Sequence, residues 1–524
     1  MSHLLNAFYV AAAIAVYRAI KYWRIVRLQG PPSPSFIFGH TQEISESRSP
    51  AELYERWAQQ YGSMYEIRGP LGSRRLVICD PRALSHVLAL DSWKYSHPPL
   101  ARLQISSLTG PGNVLVALGE EHSRQRKMLN PLFGPTALRK YASVMYDSAY
   151  KVFTSWESEL QASATGEIML DVSEWVNNVS FDIIGLAAFS TDFKSLDGET
   201  SDVLTALTAV GHAKPSPTAA KILLLSTAYP SLFKLPLPRS KLVAEMSSAM
   251  DAVVDKVIDA AKSKSRELET ELVGSALSVL LNAEELSPAQ IRMQAKSILL
   301  AGFTTTSASV KWALVELSMH PKKQERLREE LVSFSTADPS YDDLVSLALP
   351  YLDAVVRESL RLHPILSESP RVALEDDVIP LANPIRTASG TVIDKVPVRK
   401  GTLLTASLYY TNAAPSIWGA DAAEFNPERW LDGPGWDVPV PAAAKAYPGY
   451  HHTMVFSDGP RACLGKGFAL AELKIVLAVL IRNFVLSPRD GMDTTYDKAM
   501  FLGPHPKVAG EIGGRLPMRV RRVE

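Results

Sequence analysis

The stretch Phe456-Ser457-Asp458-Gly459-Pro460-Arg461-Ala462-Cys463-Leu464-Gly465 decides how this chain is read. It holds one of only two cysteines among 524 residues. Gly459 and Gly465 allow tight turns and a close approach of backbone to a flat ligand. Arg461 sets a fixed cation two residues before the sulfur. Cys463 stands just before an apolar helical run, Leu464 to Phe484. The dipole and free N–H groups at the start of such a helix favour the thiolate, the form of cysteine that binds metals. A buried structural cysteine in a glycine-rich loop is the alternative.

The spacing Phe-x-x-Gly-x-Arg-x-Cys-x-Gly resembles the haem-binding loop of cytochromes P450. Five matched positions weigh against the structural-cysteine alternative. The resemblance implies haem b, with Cys463 as axial ligand of its iron. A thiolate there pushes electron density onto bound oxygen and favours O–O cleavage. It further implies that Arg461 meets a propionate, that Phe456 covers the proximal face, and that Gly459 and Gly465 let the backbone lie close to the macrocycle.

Working upstream, Ser287-Pro288-Ala289-Gln290 is a helix start: Ser caps, Pro suits the first turn and Gln completes a capping box. The helix is expected to run to Pro321, roughly 30 residues and about 45 Å. Midway stands Ala301-Gly302-Phe303-Thr304-Thr305-Thr306, which resembles the P450 segment Ala/Gly-Gly-x-Asp/Glu-Thr-Thr. The match implies that small residues leave room above the iron and that Thr305 supports protonation of bound dioxygen. Thr304 departs from the pattern, since the family usually has an acid there. A hydroxyl can hold a water in a proton chain but supplies no titrating carboxyl. Threonines bonding back to helix carbonyls are the other reading.

Glu358-Ser-Leu-Arg361 lies in a helical segment, Tyr351 to Leu362, ended by His363-Pro364, and the i,i+3 spacing puts both charges on one face. Phe425-Asn-Pro427-Glu-Arg429-Trp430 follows in a loop. Both resemble P450 patterns in which the charged residues, here Glu358, Arg361 and Arg429, interlock and set the cysteine loop. A surface salt bridge is the ordinary meaning of Glu-x-x-Arg. His122-Ser-Arg-Gln-Arg126-Lys127 resembles the family's Trp-x-x-x-Arg, so His122, Arg126 and, after the Glu-x-x-Arg helix, Arg371 are expected at the propionates. A basic, solvated helix face is the alternative for the first group.

Leu4 to Tyr17 is almost wholly apolar, and Ala19 to Val26 continues with charges between. Spanning a bilayer takes about 20 apolar residues, so Arg18, Lys21 and Arg24 would snorkel. Those three and Arg27 all follow the run, which puts the rest of the chain in the cytosol. A signal peptide would carry its charges before the run; an interfacial helix is the other alternative. Gly30-Pro31-Pro32-Ser33-Pro34 then reads as a stiff hinge, similar to that of microsomal P450s. The expected division is an anchor over 1–27, a hinge over 28–38 and a haem domain over 39–524. The apolar, proline-broken stretch Ile222 to Leu237 is a further candidate for membrane contact.

Lys+Arg and Asp+Glu both total 55, which gives no reason to expect nucleic acid. Two cysteines exclude a disulfide scaffold and argue for a reducing compartment; Cys79, in a strand-like run, reads as packing. His451-His452 have the wrong spacing for one helical metal face. No P-loop, dinucleotide fingerprint, His-Glu-x-x-His or Gly-x-Ser-x-Gly appears, nor a fused flavin or iron–sulfur module. Residues 64–80 and 373–405 look strand-rich and most of 115–365 helical.

The resemblance therefore implies a mainly α cytochrome P450 fold with a small β-rich subdomain and an N-terminal membrane-anchor helix. Its implied activity is a haem-thiolate monooxygenase acting on a lipophilic small molecule, with a terpenoid of fungal specialised metabolism as the expected substrate. The implied partner is NADPH–cytochrome P450 reductase at the endoplasmic reticulum membrane, with a basic surface including Lys466 to receive it. Substrate contacts are expected from Ala101–Leu118, Thr205–Leu225, Ile298–Thr305, Pro364–Val372 and Phe501–His505. The rivals are a reductase-independent isomerase or dehydratase and a non-catalytic haem sensor.

Overall fold

Ser287 starts the longest helix among the described residues, as its sequence requires. In the computed structural model its Oγ accepts from Gln290 N at 3.3 Å, while Gln290 Oε1 accepts from Ser287 N at 2.9 Å. The helix runs 32 residues, Pro288–Met319, and stops where Pro321 opens the next one, Pro321–Phe334. The structure describes residues 26–523 apart from 48, 213–215, 237, 264–274, 284, 335–336, 347, 432–438 and 501–502. Most of the anchor expected over 1–27, together with Leu237 and Phe501, thus lies outside the described residues.

Val172–Phe189 and Lys466–Asn483 pack against Pro288–Met319, and Pro135–Ala162 packs in turn against both of them. Gly302 is where Val172–Phe189 comes closest, because a Cβ there would sit 2.6 Å from Ile184 Cδ1. Its small size serves helix packing, rather than the open space above a cofactor that the motif suggests. Phe303 is fully buried beside it, edge-on to Phe181 at 5.2 Å. Among the described residues this is the one helix long and apolar enough to cross a membrane, and it is mostly buried in the core.

The β-rich part has its own core. Its main sheet runs Met64–Arg68, Arg74–Ile78, Leu403–Ser407, Glu368–Ala373, Tyr95–Ser96; only the Arg74–Ile78/Leu403–Ser407 pairing is parallel. Cys79 ends the second strand buried, as its apolar run implies. A separate hairpin pairs Asp377–Arg386 with Val392–Val398. The segment expected as a hinge is fastened to this part: Glu66 N donates to Gln29 O at 2.9 Å, and Arg27 pairs with Glu66 at 2.8 Å. A Cβ on Gly30 would fall 1.8 Å from Glu66 O, so only glycine passes there. The described part of Ile222 to Leu237 combines a helix end with a turn. Pro217–Ser226 is helical with Ser216 as its cap, and Pro230–Lys234 is a 3₁₀ turn.

The two cores are joined by a buried charge network. Arg361 grips Glu358 with Nε and Nη2, both at 2.8 Å, and Arg429 Nε reaches the same carboxylate at 3.1 Å. All three side chains are fully buried. Asn426 N and the Trp430 indole complete the carboxylate's shell, and Arg361 also donates to the carbonyls of Asn412 and Ala422. Removing one partner of such a cluster leaves buried, uncompensated charge, at a cost of about 3–5 kcal/mol. Glu358→Ala is expected to yield little folded protein, or protein whose thermal unfolding midpoint drops by many degrees; a midpoint within error of the parent would refute that assignment.

Glu472, on Lys466–Asn483, is buried with both carboxylate oxygens lacking a hydrogen-bond partner. Burial pushes its carboxyl from 4.5 up to about 8, with the Ser180 hydroxyl working against that shift. The folded state then holds a proton that the unfolded chain loses above 4.5, so stability falls as pH rises from there to about 8. Glu472→Gln is expected to flatten this decline, which amounts to on the order of 4 kcal/mol at most. Urea titrations at pH 5 and pH 8 measure it; parallel pH dependence in parent and variant would contradict the buried, protonated carboxyl.

Candidate active site

Cys463 closes a loop whose shape is local. Its N–H donates to Phe456 O at 2.8 Å, and the Phe456 ring stands edge-on to Tyr450 at 5.4 Å. Gly459 has φ +67, and a Cβ there would lie 2.2 Å from Leu88 O, so the turn requires glycine. Gly465 differs from the expectation: its φ is −85, it caps the helix, and a Cβ would make an ordinary contact with Phe133. The Cys463 side chain is accessible although it lies deep in the molecule, so it faces internal space. Burial raises its thiol pKa, while the Gly465 N–H, Arg126 and Lys466 act the other way. The groups at the helix N-terminus act toward the thiolate without outweighing burial, and a coordinating metal ion would supply that form.

Beside the cysteine is a group of cations turned toward one another. Arg461 donates to the carbonyls of Leu115, at 3.2 Å, and Ala117, and its Nε lacks a hydrogen-bonded partner although Asp91 Oδ1 lies 3.5 Å away. Arg371 pairs with the fully buried Asp91 at 2.7 Å and lies 3.5 Å from His97 Nδ1. Arg126 donates to Ala462 O at 2.6 Å, directly before the cysteine. His122 is buried. The crowding shows in the ionisation. Burial, then Arg461 and Arg126, hold His122 down at about 4; burial, then Arg371 and Arg461, hold His97 at about 3. Burial brings Arg461 itself down to about 10. A dianion placed among these groups would relieve all of them at once.

Arg124 behaves differently from Arg126. It turns outward to Glu121 and Glu285, so the basic run of this helix is half solvated face and half site. His97 and Asp91 were not legible in advance, because neither sits in a motif. Only the fold carries Asp91 to Arg371, 280 positions away.

The Pro288–Met319 helix contributes an uncovered face. Ala301 is exposed in the middle of this buried helix, and Thr305, one turn on, is partly open. The Thr305 hydroxyl donates to Ala301 O at 2.8 Å, leaving oxygen lone pairs available on that face. Thr304 is not there. It is fully buried, and its hydroxyl donates to Leu300 O at 2.7 Å, which removes the relay its sequence position suggests. His451 and His452 both adopt positive φ in the loop ahead of the cysteine, and burial holds His451 at about 4.

An accessible deep thiol, a buried guanidinium with a spare N–H, and surrounding cations without enough counter-charge fit a flat, dianionic, metal-bearing group. Comparison with known proteins agrees. The family model described as Cytochrome P450 matches residues 29–509. Cytochrome P450 monooxygenase claP of Ampulloclitocybe clavipes is 41% identical over 97% of this chain and 95% of that protein. Its relative claW from the same organism is 40% identical over 95% and 93%. Cytochrome P450 monooxygenase 205 of Postia placenta is 34% identical over 90% of this chain and 89% of its own length. With a haem-type site in its geometry and this likeness along its length, the chain belongs to the cytochrome P450 family of haem-iron monooxygenases.

Proposed function

We propose that this protein is a haem b monooxygenase that places one oxygen atom from dioxygen into a lipophilic terpenoid of fungal specialised metabolism. The observation that carries the reading is the accessible Cys463 side chain beside the buried Arg461 with its spare Nε–H. Cys463 would hold the iron, and Arg461, Arg371, Arg126, His122 and His97 would receive the propionates, with Phe456, Gly459 and Gly465 shaping the cysteine loop. The haem iron, when bound, supplies the oxygen chemistry.

This chain's residues supply the rest. Thr305 Oγ holds a proton at the uncovered helix face, where it can accept one hydrogen bond while donating another. Thr304, committed to Leu300 O, contributes to packing. Ala301 keeps that face free of bulk. Asp91 pairs with Arg371 at 2.7 Å and lies 3.5 Å from Arg461 Nε, which would keep the two guanidiniums side by side for the propionates. Glu358, Arg361 and Arg429 keep the cysteine loop in register.

Electrons would come from NADPH–cytochrome P450 reductase at the endoplasmic reticulum membrane. A contiguous apolar surface supports membrane association: Phe36 and Ile37 are exposed beside Leu71, whose N–H donates to Ile37 O. Helix Pro217–Ser226 packs against the same turn, and exposed Tyr229 and Leu235 flank the turn that follows it. This surface follows closely on the apolar N-terminal run, and polar rims around such patches mark membrane or partner contact.

Turnover in reductase-containing membranes, with a terpene panel, isotopically labelled dioxygen and NADPH, tests the proposal. The expected product carries one labelled oxygen and requires NADPH. An unlabelled product formed without NADPH would mean an isomerase or dehydratase, and silence across the panel would remove terpenoids. Thr305→Ala is expected to lower the share of NADPH electrons reaching product by on the order of tenfold or more, at unchanged haem content. Loss of haem instead would make Thr305 structural.

A further inference from the structure

Six residues past Thr305, the central helix carries Lys311, which is 1% exposed. Its Nζ donates to Asn177 Oδ1 at 3.0 Å and to Ser173 Oγ at 3.5 Å, and lies 3.1 Å from His505 Nδ1. All three partner atoms belong to side chains that carry no negative charge, an unusual setting for a buried ammonium. Lys311, Ser173, Asn177 and His505 line a cavity of about 670 Å³, bounded by helix Asp202–His212 on one side and by Gly514 and Arg515 on another. That volume suits a small organic ligand. Cys463 and Thr305 are not among its walls, although Thr205, Thr208 and His505, from stretches expected to touch substrate, are; the cavity is distinct from the cysteine site.

Charge is unevenly distributed within it. Asp171, the nearest acid, is already taken by Ser173 N at 3.1 Å, Leu516 N at 2.8 Å and Arg515 at 3.4 Å. Glu174 and Glu199 stand exposed at the rim, where water and salt screen them, and Glu199 lies 3.7 Å from Lys194. At the buried end no carboxylate among the described residues pairs with Lys311. Burial pushes its ammonium down to about 7, with Asp171 pulling weakly upward. Leu204, Leu207 and Ala499 supply apolar wall on the way in.

We propose that this cavity binds a lipophilic organic acid, with Lys311 as the counter-ion of its carboxylate and Asn177 and His505 orienting the ammonium. A charge-assisted hydrogen bond formed away from water is short and strong, and an ester of the same chain cannot accept it equally well. The inference stands apart from the haem reaction, since it concerns binding alone.

The test uses full-length, haem-loaded protein in detergent, with laurate and methyl laurate as probes in equilibrium dialysis at pH 6.5. The parent is expected to bind laurate at least about tenfold more tightly than the ester. Lys311→Met should bring that ratio near one, with haem content unchanged. Equal binding of acid and ester by the parent, or a preference that survives in Lys311→Met, overturns the proposal. Should Lys311→Met fail to fold, Leu204→Trp, which fills the cavity from its wall, takes its place. It is expected to weaken laurate binding about tenfold, and undiminished binding overturns the site.

Discussion

The Glu358 carboxylate is the point on which the rest depends. One buried anion is shared by Arg361 and Arg429, and neither guanidinium has water to fall back on. Glu358 is the only carboxylate paired with Arg361 among the described residues, while Arg429 is held by Glu358 and by Asp421 at 2.6 Å, so pulling the helix Pro350–Leu362 from the loop carrying Arg429 would expose buried charge. Arg361 extends the constraint to Asn412 O, and the Asn412 side chain accepts from Met454 N at 3.1 Å. Met454 O then receives Ser457 N, and Phe456 O receives Cys463 N. A series of hydrogen bonds, linked through the backbone, therefore leads from the charge cluster to the Cys463 amide. The cluster acts on the site by placing the loop, with no contact to a ligand.

The site itself is built on the opposite principle. Arg371, Arg461, Arg126, His97 and His122 are gathered with Asp91 as the buried anion between two of them. Such a group resists assembly on its own: burial first, and then the neighbouring guanidiniums, lower the ionisation of both histidines. The fold compensates by fixing backbone carbonyls of Leu115, Ala117 and Ala462 against the guanidiniums. An anionic ligand placed among these cations would supply counter-charge that the described residues provide only through Asp91.

The central helix illustrates how one element divides its residues among tasks. With 3.6 residues per turn, Ala301 and Thr305 share the uncovered face, Gly302 and Phe303 pack on Val172–Phe189, and Lys311 reaches a different cavity. Neighbours in sequence therefore do unrelated work. Thr304 and Thr305 differ by one position and about 100° of rotation, and that separates a buried, back-bonded hydroxyl from an open one.

Local patterns were legible from the chain alone. The capping box at Ser287, the helical stretch ending at His363 and the strand-rich 64–80 depend on neighbours within a few residues, and they appear as their residues imply. The spacing around Cys463 together with Glu358, Arg361 and Arg429 pointed to the family, because motif order survives in sequence. Tertiary structure alone decided the rest. It brought Asp91 to Arg371 and His97 into the cation group, assigned Gly302 to packing, and turned Thr304 inward. It also gave Lys311 a cavity in place of a carboxylate. Each of these depends on burial and on contacts between distant segments, and a side chain's charge, exposure and partners are set only when those segments meet.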